Sequence, residues 1–180
     1  MKTESESTDL MASLASRSLF IGLTDAQLGL LVKAGSIEHF EPGQVIALEG
    51  QPGQALYIIL SGSVSVAPVA SQPGRHPESI VLRSERTPDA LYGVDFFGEM
   101  SVLDFESISA TVTALEPCDL LVVPVAGLYK AFQQDRDIHI IVISNLARTL
   151  SYRLRLANER HDTPGPCHCR GPEACGSQLT

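Results

Sequence analysis

Apolar positions change period twice along this chain. In "LTDAQLGLLVKAG" (23–35) they recur at helical steps, so that Leu28, Leu31 and Val32 share a face. Thr24 and Gln27 stand at capping-box spacing, Leu23 is placed to staple onto Leu28, and Gly35 closes the run, which predicts a short helix. From Phe40 the steps shorten. "FEPGQVIALEGQPGQALYIILSGSVSV" is cut by Pro42-Gly43, Gly50, Pro52-Gly53 and Gly62 into brief runs of Val, Ile, Leu and Tyr. Similar runs resume at "SIVLR", "ATVTAL" and "DLLVVPV", and closely spaced turn residues with strands between them predict an antiparallel barrel or jelly roll. Pro68, Pro73, Gly74 and Pro77 predict a long mobile hairpin loop over 67–79. After Pro124 helical steps return, in a short helix ("VAGLYKAFQQD") and a long one over 137–160. On the long helix Ile143, Leu146, Leu150, Arg153 and Ala157 alternate three- and four-residue steps, a seam suited to a partner helix. Ala147 and Leu154 fall on its flank, toward the barrel.

The fold class predicted is mainly β with flanking helices (α+β): an antiparallel β jelly-roll barrel, short N-terminal helices and a long C-terminal dimerisation helix. Residues 1–16 read as a flexible arm with room for a short helix near its end, 17–135 as the jelly roll, 136–161 as the long helix, and 162–180 as a disordered tail rich in Cys, Pro and Gly. A 44% hydrophobic content supports a real core, yet no stretch approaches the ~18 apolar residues of a membrane span. Without a signal-peptide pattern, the expected location is the cytoplasm. The net charge of −8 has the wrong sign for a chain that works by neutralising phosphates, so sequence-specific nucleic-acid binding is not expected.

The stretch "DFFGEMSVLDFESISATVTA" (95–114) carries the candidate chemistry. Its Gly98-Glu99 step opens a helical turn, where free backbone N–H groups suit an anion. Between Gly93 and Leu128, however, there is no Arg, Lys or His to hold one.

Glycine-punctuated strands, "FFGEMSVL", "SATVTA" and a long helix together resemble the cyclic nucleotide-binding domain, over roughly residues 18–160. The resemblance implies a phosphate-binding cassette after Phe97-Gly98-Glu99, in which Gly98 offers backbone and Glu99 accepts the ribose 2′-hydroxyl. Met100, Ser101 and Val102 would form the turn behind them. It also implies an arginine for the cyclic phosphate nine or ten residues after the glutamate. Anchoring on Ala110-Thr111-Val112 puts Ile108 at that position, with Ser109 as the adjoining small residue. Arg75, Arg83, Arg86 and Arg153 are the candidates for a replacement, with Arg153 on the helix that contacts the base in the family.

Truncating one side of a buried charge pair costs about 2–5 kcal/mol. Asp104 and Glu106 add negative charge to the same loop. The expectation is therefore a non-catalytic regulatory domain with weak or absent binding of cyclic AMP and cyclic GMP, acting as a homodimer with a separate protein partner. It would lack a helix-turn-helix reader. Two alternatives stand beside it: a working sensor of cyclic nucleotide or another small ligand, related to transcription regulators and using an arginine from elsewhere, and a dimeric interaction scaffold.

No cofactor is expected. In the tail, Cys167, His168, Cys169 and Cys175 form an incomplete zinc pattern. The enzyme rival on a jelly roll is a cupin-type metal site, but His39, His76, His139, His161 and His168 include no His-x-His pair.

Overall fold

The computed structural model describes residues 4–68, 79–84, 95–104 and 106–161. Helix α1 (Glu4–Ala15) and a 3-10 turn (Ser18–Phe20) lead into α2 (Asp25–Ala34). Strands β1 (Ser36–Phe40), β2 (Val45–Ala47), β3 (Ala55–Ser61), β4 (Ser63–Ala67), β5 (Ile80–Arg83) and β6 (Phe96–Phe97) follow. A single turn of helix, α3 (Met100–Leu103), precedes β7 (Thr111–Ala114) and β8 (Cys118–Pro124). The last two helices are α4 (Val125–Gln134) and α5 (Arg136–His161).

The strands form two antiparallel sheets, in the orders β1-β8-β3-β6 and β2-β7-β4-β5, packed as the jelly roll the turn spacing predicts. Because neighbouring strand residues point to opposite faces, the first sheet serves two cores. Leu56 and Ile58 of β3 and Leu121 and Val123 of β8 turn outward to the helices. Ala55 and Ile59 of β3 and Leu120 and Val122 of β8 turn inward to the second sheet. Burial on both sides explains why "ALYIIL" and "DLLVV" are continuous apolar runs rather than alternating ones.

Thr24 and Gln27 form the capping box of α2: each side chain bonds the other residue's backbone N–H. Gly35 follows with extended backbone, and a Cβ there would lie 2.6 Å from the Val122 carbonyl oxygen. Close approach to β8, rather than a left-handed cap, is what this glycine provides.

Three expectations change. The predicted arm, residues 1–16, contains α1, whose Leu14 is fully buried while Leu10 and Met11 pack on the same helix-side core. The long helix is not separate from the jelly-roll unit. Ile138, Val142 and Leu146 are core residues, and the Asn145 amide donates 2.9 Å hydrogen bonds to the carbonyls of Leu19 and Ile21.

The partner-helix seam is also rotated. Leu146 is fully buried and Ile143 packs on the chain's own core, whereas Ala147 is exposed and Ile140 and Leu154 are 63% and 62% exposed. The stripe that finds the 3-10 turn and α4 is 138/142/145/146/149, and its burial decides the helix's rotation. Residues 69–78 of the predicted hairpin loop, the tail from 162, and the Ala157 side chain lie outside the described residues.

Candidate functional site

Between the two sheets and the second half of α5 lies a cavity of about 250 Å³. Phe97, Gly98, Glu99, Met100 and Ser101 line it from β6 and α3, and Ile108, Ser109 and Ala110 from the approach to β7. Tyr152, Arg153 and Leu156 cover it from α5, and Tyr57, Val66, Val81, Leu82 and Val112 complete its apolar wall. The predicted ligand-site residues thus meet in one place. Leu150 and Ile143 of the predicted seam are not among them.

Two glycines make this arrangement possible. Gly98 has φ +84°, and a Cβ there would lie 2.5 Å from the Ala55 carbonyl oxygen, so the chain can turn from β6 into α3 only without a side chain. At Gly53 a Cβ would overlap Ser101 Oγ at 1.7 Å, which ties the β2–β3 turn to α3. Val102 is fully buried in the helix-side core, and Tyr129 Oη donates to its carbonyl at 3.0 Å. The cassette is therefore fastened from below.

Glu99, at the head of α3, has a side chain only 12% exposed. Arg153 meets it from α5, with Nη1 2.9 Å from Oε1. The same guanidinium donates through Nη2 to the Phe96 carbonyl at 2.6 Å and lies 5.1 Å from the Phe96 ring centroid. Three contacts fix its position, so the cation is held by the protein itself. With four residues, α3 is too short to concentrate a helix dipole on an anion.

At the other end, Ile108 packs on the inter-sheet core. Its backbone is pinned by Gly50 N–H donating to Ile108 O and Ile108 N–H donating to Gln51 O, both at 2.9 Å. Asp104 and Glu106 are exposed on the loop before it, where the Glu106 N–H donates to Asp104 Oδ1 at 3.1 Å. Tyr57 and Phe97 stack nearly parallel, centroids 4.7 Å apart at 7°, as a flat wall. Burial pushes the Tyr57 phenol up from its ordinary pKa, so it stays a neutral hydroxyl.

Of the other arginine candidates, Arg83 is exposed on β5, while Arg75 and Arg86 lie outside the described residues. Cys167, His168, Cys169 and Cys175 lie outside them as well. Among the described residues no three His, Cys, Asp or Glu side chains gather to hold a metal. His39 pairs with Asp119 at 2.9 Å on an exposed sheet edge, a bond that raises its pKa, and His139 stacks on Phe132.

Sequence reasoning missed the strand contributions, Tyr57, Val66, Val81 and Leu82, and the lid residues Tyr152 and Leu156. The alternation of "SVSV" is the available signal, but strand periodicity does not say which sheet face meets a cavity.

The two-sheet jelly roll, the glycine-opened turn into α3 and the helix that crosses the cavity together define the class of fold. The cyclic nucleotide-binding domain model matches residues 37–135, and the chain belongs to that family. The cyclic AMP receptor protein of Thermus thermophilus is 31% identical over 144 residues, 78% of this chain and 58% of that protein. The cGMP-dependent protein kinase of Toxoplasma gondii is 41% identical over 103 residues, 57% of this chain but only 9% of the kinase. The chain therefore spans less than two thirds of these relatives. Among solved structures, the catabolite activator protein of Thermus thermophilus superposes with a TM-score of 0.63 at 28% identity, covering 81% of this chain and 62% of that one. The N-terminal domain of a transcriptional regulator from Streptomyces coelicolor does so with a TM-score of 0.62 at 25% identity, covering 82% and 95%. Among the described residues no helix is long and apolar enough to cross a membrane.

Proposed function

We propose that this chain is a non-catalytic regulatory domain whose family pocket has given up strong binding of cyclic AMP and cyclic GMP. The observation that carries this reading is the pairing of charges in the cavity. Arg153 is the cation lining it among the described residues and is closed on Glu99 at 2.9 Å, while Ile108 stands where the family resemblance puts the phosphate-binding arginine. A cyclic nucleotide would bring its phosphate against the sec-butyl side chain of Ile108 and its ribose against a carboxylate already bonded. It would lose water without gaining a counterion.

The domain acts on a separate protein partner in the cytoplasm as a homodimer, and at net charge −8 this segment does not itself read duplex DNA. Support for the dimer comes from the outer stripe of α5. Ile140, Ala147 and Leu154 recur every seven residues on the solvent side, and half-buried Leu150 falls three residues after Ala147.

Titration calorimetry tests the pocket. The unmodified chain is expected to bind either nucleotide with a dissociation constant of about 100 μM or weaker, since ~2–5 kcal/mol is missing from a micromolar site. Ile108→Arg should improve this about tenfold or more, and adding Glu99→Ala should reverse the gain. Micromolar binding by the unmodified chain, lost in Arg153→Leu, would instead assign Arg153 to the phosphate and make the domain a working nucleotide sensor.

A further inference from the structure

We infer that the cavity takes an uncharged, flat aromatic or heteroaromatic molecule of one or two rings, with one hydrogen-bonding edge directed at the Glu99–Arg153 pair. The inference rests on the reading that cyclic nucleotides are not the strong ligand, and it adds what the pocket selects.

Size sets the first limit. A cavity of ~150 Å³ admits benzene, so about 250 Å³ admits two fused rings with little to spare.

Shape sets the second. The parallel Tyr57–Phe97 stack supplies a flat wall, and Val66, Ile108 and Val112 add hydrocarbon to the lining. Burial of apolar area is then the main driving force.

Charge sets the third. Glu99 and Arg153 cancel, and both side chains are largely buried, at 12% and 26% exposure. An entering anion would have to draw Arg153 off Glu99, off the Phe96 carbonyl and off the Phe96 ring, leaving a buried carboxylate unpaired. Asp104 and Glu106, exposed on the adjoining loop, oppose it further. An entering cation would have to displace Arg153 and strand that charge in turn. A neutral ligand leaves the pair intact. A carboxylate offers several lone pairs and a guanidinium five N–H donors, so the pair still presents acceptor and donor capacity to a hydroxyl or ring N–H. Because Arg153 belongs to α5 and Glu99 to the cassette, an occupant that bridges them also fastens the lid.

The test is a set of three molecules matched in shape and differing in charge: 2-naphthol, 2-naphthoate and 2-naphthylmethylammonium, titrated at pH 7 into the full 180-residue chain. The expected result is saturable binding of 2-naphthol, at least about tenfold tighter than either ion, a difference that calorimetry resolves. Ala110→Phe, which fills the cavity, should abolish it with the melting temperature retained. Ile108→Arg should move the preference to 2-naphthoate without any requirement that Ala110→Phe fold. Stronger binding of either ion by the unmodified chain, or no saturable binding of all three up to 1 mM (roughly the weakest dissociation constant such a titration follows), overturns the inference. The nucleotide titration is scored separately. A chain that ignores both cyclic AMP and the naphthalenes refutes the ligand class alone, whereas one that binds cyclic AMP tightly refutes the reading beneath it.

Discussion

Arg153 occupies the position that a bound molecule would otherwise contest. Its guanidinium neutralises a carboxylate that the fold has largely removed from water, and it also satisfies the Phe96 carbonyl. Removing it leaves Glu99 in place without a counterion. Arg153→Met is therefore expected to lower unfolding free energy by about 1–3 kcal/mol, and Glu99→Gln alone by less, because an amide still accepts a hydrogen bond. The double variant should recover part of the loss, since two neutral groups replace one orphaned charge. Urea unfolding of the four proteins forms the cycle that measures this coupling. Additive effects of the two substitutions would remove Arg153 from Glu99 in solution. Ile108 is the converse case. It is held by two backbone hydrogen bonds and packed on the inter-sheet core, with no side-chain charge to place.

At the scale of elements, α5 has two halves with different work. From Arg136 to Thr149 it is a core helix, with Ile138, Val142, Leu146 and Thr149 fully buried. Beyond that point it passes over the cavity through Tyr152, Arg153 and Leu156. Its outer stripe serves neither purpose, which gives the dimer proposal a sharp test. Leu154→Glu places a charge on the stripe proposed to meet a second copy and is expected to shift light-scattering mass toward the monomer with the fold retained. Leu146→Glu buries the charge in the chain's own core and should instead unfold the domain. If Leu154→Glu stays at the wild-type mass, or if the wild-type chain is a monomer at tens of micromolar (a concentration at which even ~10 μM self-association is visible), the outer stripe is not the interface.

At the scale of the whole molecule, the N-terminal helix belongs to the folding unit. Leu14 is 0% exposed and sits in the same core as Leu28, Leu128 and Ile138. Leu14→Ala should cost about 2–5 kcal/mol, and so lower the melting temperature by roughly 4–20 °C. Calorimetry should register that loss, and an unchanged melting point would return residues 4–15 to the status of an arm.

The elements that local chemistry controls were legible in the sequence. The capping box of α2, the turn glycines and the strand runs were readable because caps, turns and short apolar runs depend on residues within a few positions of one another, and the cassette was readable through the family resemblance. What only the tertiary structure decided depends on partners far along the chain. A helix with two apolar stripes does not specify which one faces home; the burial of 138/142/146 against the 3-10 turn and α4 settled that, and turned Ile140, Ala147 and Leu154 outward. A polar, sparsely apolar N-terminus reads as an arm until α2 offers Leu14 a place to pack. Glu99 and Arg153 stand 54 positions apart, and no local pattern encodes their ion pair, since it exists only where α5 crosses the cassette.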